Sequence, residues 1–277
     1  MALHGTLKTG LQKQNNFKKN KLNNLKKISF LAGIFLSTLT TTAQLFIDKA
    51  TIEYEVKANI KKNMGNGSWE EMMKDKLPTF KTGYYSFTFA DNKSIYKFDH
   101  WPEKDKLPDY MRKDDESNTW YFDHNKGKMI IQKNIYGSAF NIEDSILNLQ
   151  WTLTNENRNI AGFNCKKAVA KIFDSVYVFA FYTDEIMISG GPCSINGLPG
   201  MIMGLTIPRL FTSWIATKVS VNNVAVNTIL PSPSKKYYTM PFVVKTIEER
   251  TKDWYSYGEQ TDENLQQKNR FVWNMML

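Results

Sequence analysis

The sequence lacks the short motifs that mark many enzymes and nucleotide-binding proteins. It has no Gly-x-Ser-x-Gly nucleophile elbow, no Walker lysine after a glycine-rich loop and no dinucleotide-binding glycine pattern. It also has no apolar run of the roughly 20 residues that a membrane-spanning helix needs. We therefore assign no catalytic residue and expect no cofactor and no membrane span in the mature chain.

Acidic residues are absent from the first 43 positions, which hold seven of the lysines. Beyond that stretch 29 basic residues stand against 27 acidic ones, so the net charge of +9 falls to +2 for the remaining chain. Clustered Lys and Arg supply most of the affinity of a protein for nucleic acid. We therefore expect no nucleic-acid partner.

The basic stretch leads into a short apolar run, residues 28–39, and then into small residues that end at Ala43. This order of basic, apolar and small-residue regions is typical of a secretory signal peptide. The sequence predicts a signal peptide over residues 1–43, cleavage before Gln44, and a single exported domain over residues 44–277. The expected location is the periplasm, the cell surface or the medium.

Cysteine is scarce, with only Cys165 and Cys193 in the chain. Export would permit a disulfide between them, and two buried thiols that act as small apolar side chains are the alternative. A third possibility is a Cys193 nucleophile paired with a histidine, which would require a lowered thiol pKa. Two cysteines do not fix a disulfide framework, so these alternatives stay open.

Period-two alternation of apolar and polar residues dominates from residue 51 onward, as in half-buried antiparallel strands. Ile52, Tyr54 and Val56, for example, alternate with charged residues. The predicted strands are 52–59, 84–90, 94–98, 119–122, 129–135, 149–154, 165–173, 176–182, a stretch after 201, 211–215 and 218–230. Helices are predicted at 68–76 and 261–273, and the charged segment 104–117 is predicted to be a solvated loop. The expected fold is mainly β, a curved antiparallel sheet or partly open β-barrel with few helices.

The most distinctive segment reads Gly190-Gly-Pro-Cys-Ser-Ile-Asn-Gly-Leu-Pro-Gly-Met-Ile-Met-Gly204. Pro199 sets φ for the second position of a type II turn, and Gly200 accepts the positive φ of the third. The segment therefore predicts a type II turn that leads into a buried strand at Met201. The glycines would also allow close approach to a neighbouring strand.

Through this segment the chain resembles the GLPGLI family of exported proteins from Bacteroidota. The resemblance is specific from Trp151 to Leu205 and weaker upstream, where it covers most of the chain from Thr51, and it has apolar departures at Phe181 and Met201. It implies a cell-envelope protein with a curved antiparallel sheet, similar in outline to periplasmic lipoprotein carriers, and it implies no particular activity, since a fold does not fix a function. The residues that carry it are Gly191, Pro192, Gly197, Leu198, Pro199, Gly200, Met201 and Ile202.

Two histidines occur in the matching tripeptides Phe98-Asp-His100 and Phe122-Asp-His124. An imidazole beside a carboxylate would suit a metal site or an acid–base pair. Polar residues of this kind are also common at strand ends, and no third ligand stands at a recognisable spacing. These residues define an alternative function, a metal-assisted hydrolase that uses His100 and His124 with Asp99 and Asp123.

Aromatic residues make up 13% of the chain. They can line a groove for a sugar or a lipid, although in β-rich proteins they more often pack between sheet layers. Because no catalytic constellation is present, we expect a non-enzymatic binding or assembly module. Its partner would be an apolar ligand, either a lipid or a peptide, or an outer-membrane receptor. The tryptophans considered are Trp69, Trp101, Trp120, Trp151 and Trp214.

Overall fold

The structure, a computed structural model, describes most of the chain beyond the predicted signal peptide. The described residues are 47–64, 68–104, 107–135, 137–173, 175–252 and 262–277. The predicted signal peptide and its cleavage point lie outside them. Residues Phe46–Leu277 belong to one compact unit.

Eleven strands form one antiparallel sheet that is not closed, which confirms the predicted mainly β class. Their order across the sheet is β6-β5-β4-β3-β2-β1-β11-β10-β9-β8-β7, so two meanders meet where β1 pairs with β11. The strands are β1 (Ala50–Asn59), β2 (Phe80–Ala90), β3 (Lys93–His100), β4 (Thr119–Asp123), β5 (Lys128–Ile135), β6 (Ser138–Ser145), β7 (Thr152–Ile160), β8 (Phe163–Ile172), β9 (Val176–Thr183), β10 (Met201–Ile207) and β11 (Thr212–Ser220).

Helices are short and lie at the ends of strands or after the sheet. In the described residues they are α1 (Ile60–Asn63), α2 (Ser68–Lys74), α3 (Lys113–Ser117), α4 (Met240–Thr251) and α5 (Asp262–Met276). The Asn59 side chain caps α1 by accepting a hydrogen bond from the Lys62 N–H. Among the described residues, no helix has the length and apolar character that crossing a membrane would require.

Alternation places the core on one face of the sheet. Tyr54 on β1 lies opposite Tyr85 on β2, and Tyr96 on β3 lies opposite Trp120 on β4. All four are buried in the main core cluster. The opposite face is more exposed along β1, whereas on β3 and β4 it carries a second, smaller apolar cluster that includes Ile95 and Tyr121. Successive side chains of a strand point to opposite faces, so this one face collects these four aromatic residues.

The sheet is strongly curved. Its two edge strands, β6 and β7, are consecutive in the chain and are joined only by residues 146–151. A flat sheet of this size would separate its edges by roughly 48 Å, whereas this link reaches about 25 Å at most. The edges must therefore approach each other, and the core side chains lie on the concave face.

A close approach between β7 and β10 shows the same curvature. These strands are three places apart in the sheet, yet a Cβ added to Gly204 of β10 would lie 2.9 Å from the Ile160 Cδ1 of β7. A side chain at position 204 would therefore require the end of the Ile160 side chain to shift.

Three sequence predictions differ from the structure. The segments 211–215 and 218–230 form one strand, β11, because its pairing with β1 is continuous from Thr212 to Ser220 apart from one bulge, and the chain then leaves the sheet. Strand β6 and helix α4 were not predicted. Strand β7 begins at Thr152 and extends further than the predicted 149–154.

Candidate functional site

A cavity of about 390 Å³ lies on the concave face of the sheet. Neighbouring strands each contribute a side chain from the core face to its wall. Because these side chains project from paired strands, the backbone hydrogen bonds of the sheet fix their spacing. The wall includes Val56, Tyr85, Tyr96, Trp120, Lys133 and Trp214.

The connection between β3 and β4 covers one side of the cavity. Trp101 packs its ring onto Gly83 of β2, where an added Cβ would lie 3.2 Å from the ring. The Trp101 indole N–H donates to Glu116 Oε1 at 2.6 Å, which fixes the ring from its outer edge. Asn274 and Leu277, at the end of the chain, complete the cover.

An ion pair and a tyrosine form a polar cluster at the cavity wall. Lys81 Nζ lies 2.6 Å from Asp115 Oδ2, and the Tyr85 hydroxyl donates to Asp115 Oδ1 at 2.9 Å. Burial, reinforced by the Asp115 carboxylate, raises the pKa of Tyr85 well above its usual value, so its hydroxyl stays a proton donor. The Asp115 carboxylate thus has both oxygens engaged.

Lys133 places its ammonium group inside the cavity. Its side chain is on β5, is 7% exposed, and follows Met129 and Ile131 on the same core-facing side of the strand. Nζ lies 5.5 Å from the centroid of the Trp120 ring and donates to the Asn274 carbonyl at 3.4 Å. In the described part of the chain, no carboxylate lies within ion-pair distance of it.

Burial lowers the pKa of Lys133 to about 8 because the interior solvates the ammonium poorly. The Cys193 and Asp115 side chains oppose this shift, and the charge of Lys81 adds to it. At pH 7 the amine is still mostly protonated. Within the described residues, this buried cation thus has one long hydrogen bond and one contact with an aromatic face.

Two further polar atoms at the cavity are buried without a hydrogen-bond partner. They are the Tyr96 hydroxyl and the Asn63 Oδ1 atom. Buried polar atoms are normally satisfied, so each such atom needs a physical account. A bound molecule with polar groups of its own would supply the missing partners.

The segment from Gly190 to Gly200 is a mostly buried loop that packs against the concave face of the sheet. The Gly190 carbonyl accepts a hydrogen bond from the Ile202 N–H at 2.9 Å. A Cβ added to Gly190 would lie 2.8 Å from the Phe87 ring, and one added to Gly191 would lie 2.8 Å from a backbone oxygen. These glycines allow the loop to approach the sheet closely.

The turn within this segment differs from the predicted type II turn. The Gly200 N–H donates to the Leu198 carbonyl at 2.8 Å, which closes a γ-turn centred on Pro199. Gly200 has the predicted positive φ, at 149°. A Cβ at this position would lie 2.1 Å from the Thr183 carbonyl oxygen, so the turn is pressed against the end of β9.

The remaining motif residues hold the loop in place. Gly197, with φ of 94°, donates its N–H to Ser189 Oγ at 3.2 Å, and the Trp151 indole N–H donates to the Asn196 carbonyl at 2.9 Å. Leu198 is buried. Among the described residues the cavity wall includes none of the eight motif positions, so their role here is architectural.

The two cysteines are separate free thiols in the structure, which is one of the alternatives left open by the sequence. Cys165 is in the core, where burial raises its pKa to about 11. Cys193 lines the cavity, and burial raises its pKa to about 12 although Lys133 opposes the shift. A raised pKa disfavours the thiolate, so the arrangement does not support Cys193 as a nucleophile.

The two histidines lie at opposite ends of the β3 strand. His100 ends β3, with Nδ1 2.7 Å from Asp99 Oδ2, whereas His124 donates its backbone N–H to the Asn92 carbonyl beside the start of β3. Eight residues of extended chain separate these points by roughly 25 Å. The structure therefore does not bring the histidines together, and a shared metal site is geometrically excluded.

Each histidine has a local packing role instead. His100 stacks on Tyr84 of the neighbouring strand, with ring centroids 4.6 Å apart. His124 stacks on Phe122, and burial lowers its pKa although Asp123 opposes the shift. In the described residues, no group of three or more His, Cys, Asp or Glu side chains could hold a metal ion.

Sequence reasoning identified the aromatic wall in part and missed the charged residues. Trp101, Trp120 and Trp214 line the cavity, while the Trp69 side chain lies outside the described residues. Asp115 falls in a segment predicted to be a solvated loop, and that prediction is wrong for its side chain. For Lys133 a signal was present, because a lysine occupies a core-facing position of a predicted strand.

No protein-family model and no curated protein matches the sequence. Solved structures of PNGF-II in the P21 and C2 space groups are similar over 72% and 69% of this chain, with TM-scores of 0.48 and 0.47 and sequence identities of 12% and 13%. The chain spans 32% and 31% of the length of those chains. We draw no functional conclusion from this similarity.

Proposed function

We propose that this protein is an exported, non-enzymatic binding module whose cavity holds a small ligand with an apolar body. The observation that carries the proposal is the cavity of about 390 Å³ with aromatic walls on the concave face of the sheet. Ligand sites are typically concave, mostly apolar and between about 300 and 1,000 Å³ in volume, with a few polar groups. The unpartnered polar atoms at this cavity fit that description.

Export to the periplasm or the cell surface is part of the proposal and rests on the sequence of residues 1–43. The resemblance to the GLPGLI family agrees with a cell-envelope role and with either an apolar ligand or an outer-membrane receptor as partner. Mass spectrometry under native conditions on the protein from its own envelope tests these points together. We expect the mass of residues 44–277 plus that of a small bound molecule, and a receptor-sized addition would identify an assembly partner instead.

A matched pair of variants tests the cavity itself. Val56 lines the cavity, whereas the adjacent Lys57 is exposed on the opposite face of β1. We expect the wild-type protein to bind decan-1-ol in a calorimetric titration, and Val56→Trp to lose about tenfold or more of that affinity because its ring fills the space. Lys57→Trp should bind as the wild type does. A wild-type protein that neither binds decan-1-ol nor retains a ligand would overturn the proposal.

A further inference from the structure

One cationic side chain of the cavity wall lacks an ion-pair partner. Three ionised side chains line the cavity, the cations Lys81 and Lys133 and the anion Asp115. Lys81 and Asp115 form an ion pair at 2.6 Å. Among the described residues no carboxylate lies within ion-pair distance of Lys133, which is 7% exposed.

Asp115 does not serve as the missing partner of Lys133. One of its carboxylate oxygens is held by Lys81 and the other by the Tyr85 hydroxyl at 2.9 Å. Removing a cation from water without a counter-charge is costly, and proteins pair such charges when they bury them. The space beside Lys133 Nζ is thus complementary to an anionic group.

We propose that the cavity binds a monoanionic amphiphile, with its anionic head group on Lys133 Nζ and its apolar part against the aromatic wall. This inference rests on the proposed binding function and specifies the class of its ligand. The Tyr96 hydroxyl is a second donor for the same head group, because among the described residues no acceptor takes its hydrogen; the Trp214 indole beside it can only donate. Trp120 links the two donors, since its ring lies 5.3 Å from the Tyr96 ring and 5.5 Å from Lys133 Nζ.

The volume guides the choice of a probe ligand, although the cavity is partly open to solvent and a longer molecule could extend out of it. A cavity of about 390 Å³ holds on the order of a dozen non-hydrogen atoms if each takes the ~30 Å³ of a water molecule in the liquid. A carboxylic acid with a medium-length alkyl chain has this size. Decanoate is a suitable probe, and decan-1-ol is its uncharged counterpart of nearly equal length.

The experiment compares these two probes by calorimetric titration at pH 7, below the micelle concentration of decanoate and below the solubility limit of decan-1-ol. We expect the wild-type protein to bind decanoate about tenfold or more tightly than decan-1-ol, because a charge-assisted hydrogen bond forms only with the anion. Lys133→Met keeps the length of the side chain and removes the charge, so it should lose this preference while still binding decan-1-ol.

A second lysine provides the control. Lys126 lies in the turn between β4 and β5, with its side chain 75% exposed. Lys126→Met makes the same chemical change outside the cavity and should leave the preference for decanoate intact. This variant separates the effect of Lys133 from the general effect of one fewer positive charge.

The possible results distinguish the two proposals. Equal affinity of the wild type for decanoate and decan-1-ol would leave the cavity as a binding site and overturn the inference about the head group. A decanoate preference that survives Lys133→Met would also overturn it. If neither probe binds, the inference about the ligand class is overturned, and if the protein also retains no ligand from its own envelope, the proposed binding function fails with it.

Discussion

Lys133 is the residue at which stability and the proposed function oppose each other. A protonated amine in an apolar cavity costs folding free energy unless something pairs with it. Its pKa falls from 10.5 to about 8 on folding, so the unfolded chain holds this proton more tightly than the folded protein does. Replacing the lysine by an uncharged residue measures this free-energy cost directly.

The first prediction concerns the stability of Lys133→Met. Below pH 8 the lysine is protonated in both states, and the pKa difference corresponds to about 3 kcal/mol against folding. We expect the variant to be more stable than the wild type at pH 7 by about 1–3 kcal/mol, measured by urea denaturation.

The pH dependence supplies the control for this prediction. Between about pH 8 and 10.5 the unfolded chain binds more protons at position 133 than the folded protein, so wild-type stability gains from this residue as the pH rises through that window. The advantage of Lys133→Met should shrink accordingly. The groups that face Lys133 are Asp115, Lys81, Cys193, Tyr85 and Tyr96. Their own burial is the same in both proteins, but their interaction with Lys133 is lost in the variant, and Cys193, whose pKa Lys133 lowers, should therefore titrate at a higher pH in Lys133→Met. A variant less stable than the wild type at pH 7 would contradict the prediction.

The charged residues of the site show where sequence reasoning stops. Lys133 alternates with Met129 and Ile131 in a predicted strand, so its core-facing position could have been derived from the sequence. The partnership of Asp115 with Lys81 could not, because it joins residues 34 positions apart through the packing of α3 onto the sheet. Period-two patterns specify the face on which a side chain lies, but they do not specify its partner.

At the scale of elements, the loop from Gly190 to Gly200 shows why its glycines cannot be replaced. Gly200 combines two constraints, a φ of 149° and a carbonyl oxygen 2.1 Å from the position of a Cβ. Gly127, in the turn between β4 and β5, has a positive φ of 60° but open space around it. Alanine at position 127 would therefore introduce backbone strain alone, whereas alanine at position 200 would introduce both backbone strain and steric overlap.

The second prediction compares alanine at these two glycines. Gly127→Ala should lose about 1 kcal/mol of unfolding free energy, because an L-residue adopts that φ at modest cost. Gly200→Ala should lose about 3 kcal/mol or more, since the turn must also move away from Thr183. Urea denaturation of the two variants measures the difference. Equal losses would show that the approach of the turn to β9 is not as close as described.

The elements that were predicted correctly share a physical cause. Strands β1 to β5 and β8 to β10 have one buried and one wetter face, or two buried faces, and the sequence carries that pattern directly. Strand β6 carries only a short periodic signal, because Phe140 and Ile142 alternate with Asn141 and Glu143 but its other residues are polar or small. Its pairing with the whole of β5 holds it in the sheet instead.

At the scale of the whole molecule, curvature creates the cavity. The short link 146–151 draws the two edges of the sheet together, and the close approach of β7 to β10 closes the C-terminal side. The cavity is lined mainly by the other side, strands β1 to β5 with β11 and the covering segments. A curved sheet was expected from the sequence. The position of the cavity on one half of the concave face was not expected, because it depends on the volumes of side chains from several strands.

The position of the cavity on one half of the sheet leads to a prediction about hydrogen exchange. A ligand stabilises the conformations to which it binds, so it slows the local openings that expose its site. With decanoate near saturation, we expect slower amide exchange in peptides from residues 107–135 and 262–277, which carry Trp120, Lys133 and Asn274. Peptides from β7 to β9 should exchange as they do without ligand, because in the described structure they contribute nothing to the cavity wall.

The Lys133→Met variant makes this exchange experiment specific to the cavity. In that protein decanoate should slow exchange much less at the same concentration, while β7 to β9 again remain unchanged. Slower exchange confined to β7 to β9 would place the ligand on the other half of the sheet and contradict the assignment of the cavity. Uniformly slower exchange would indicate that the ligand stabilises the whole fold. That result is expected only if the protected amides exchange through complete unfolding and not through local openings. The decisive quantity is therefore the difference in ligand-induced slowing between residues 107–135 and 262–277 on one side and β7 to β9 on the other. That difference shows which half of the sheet holds the bound ligand.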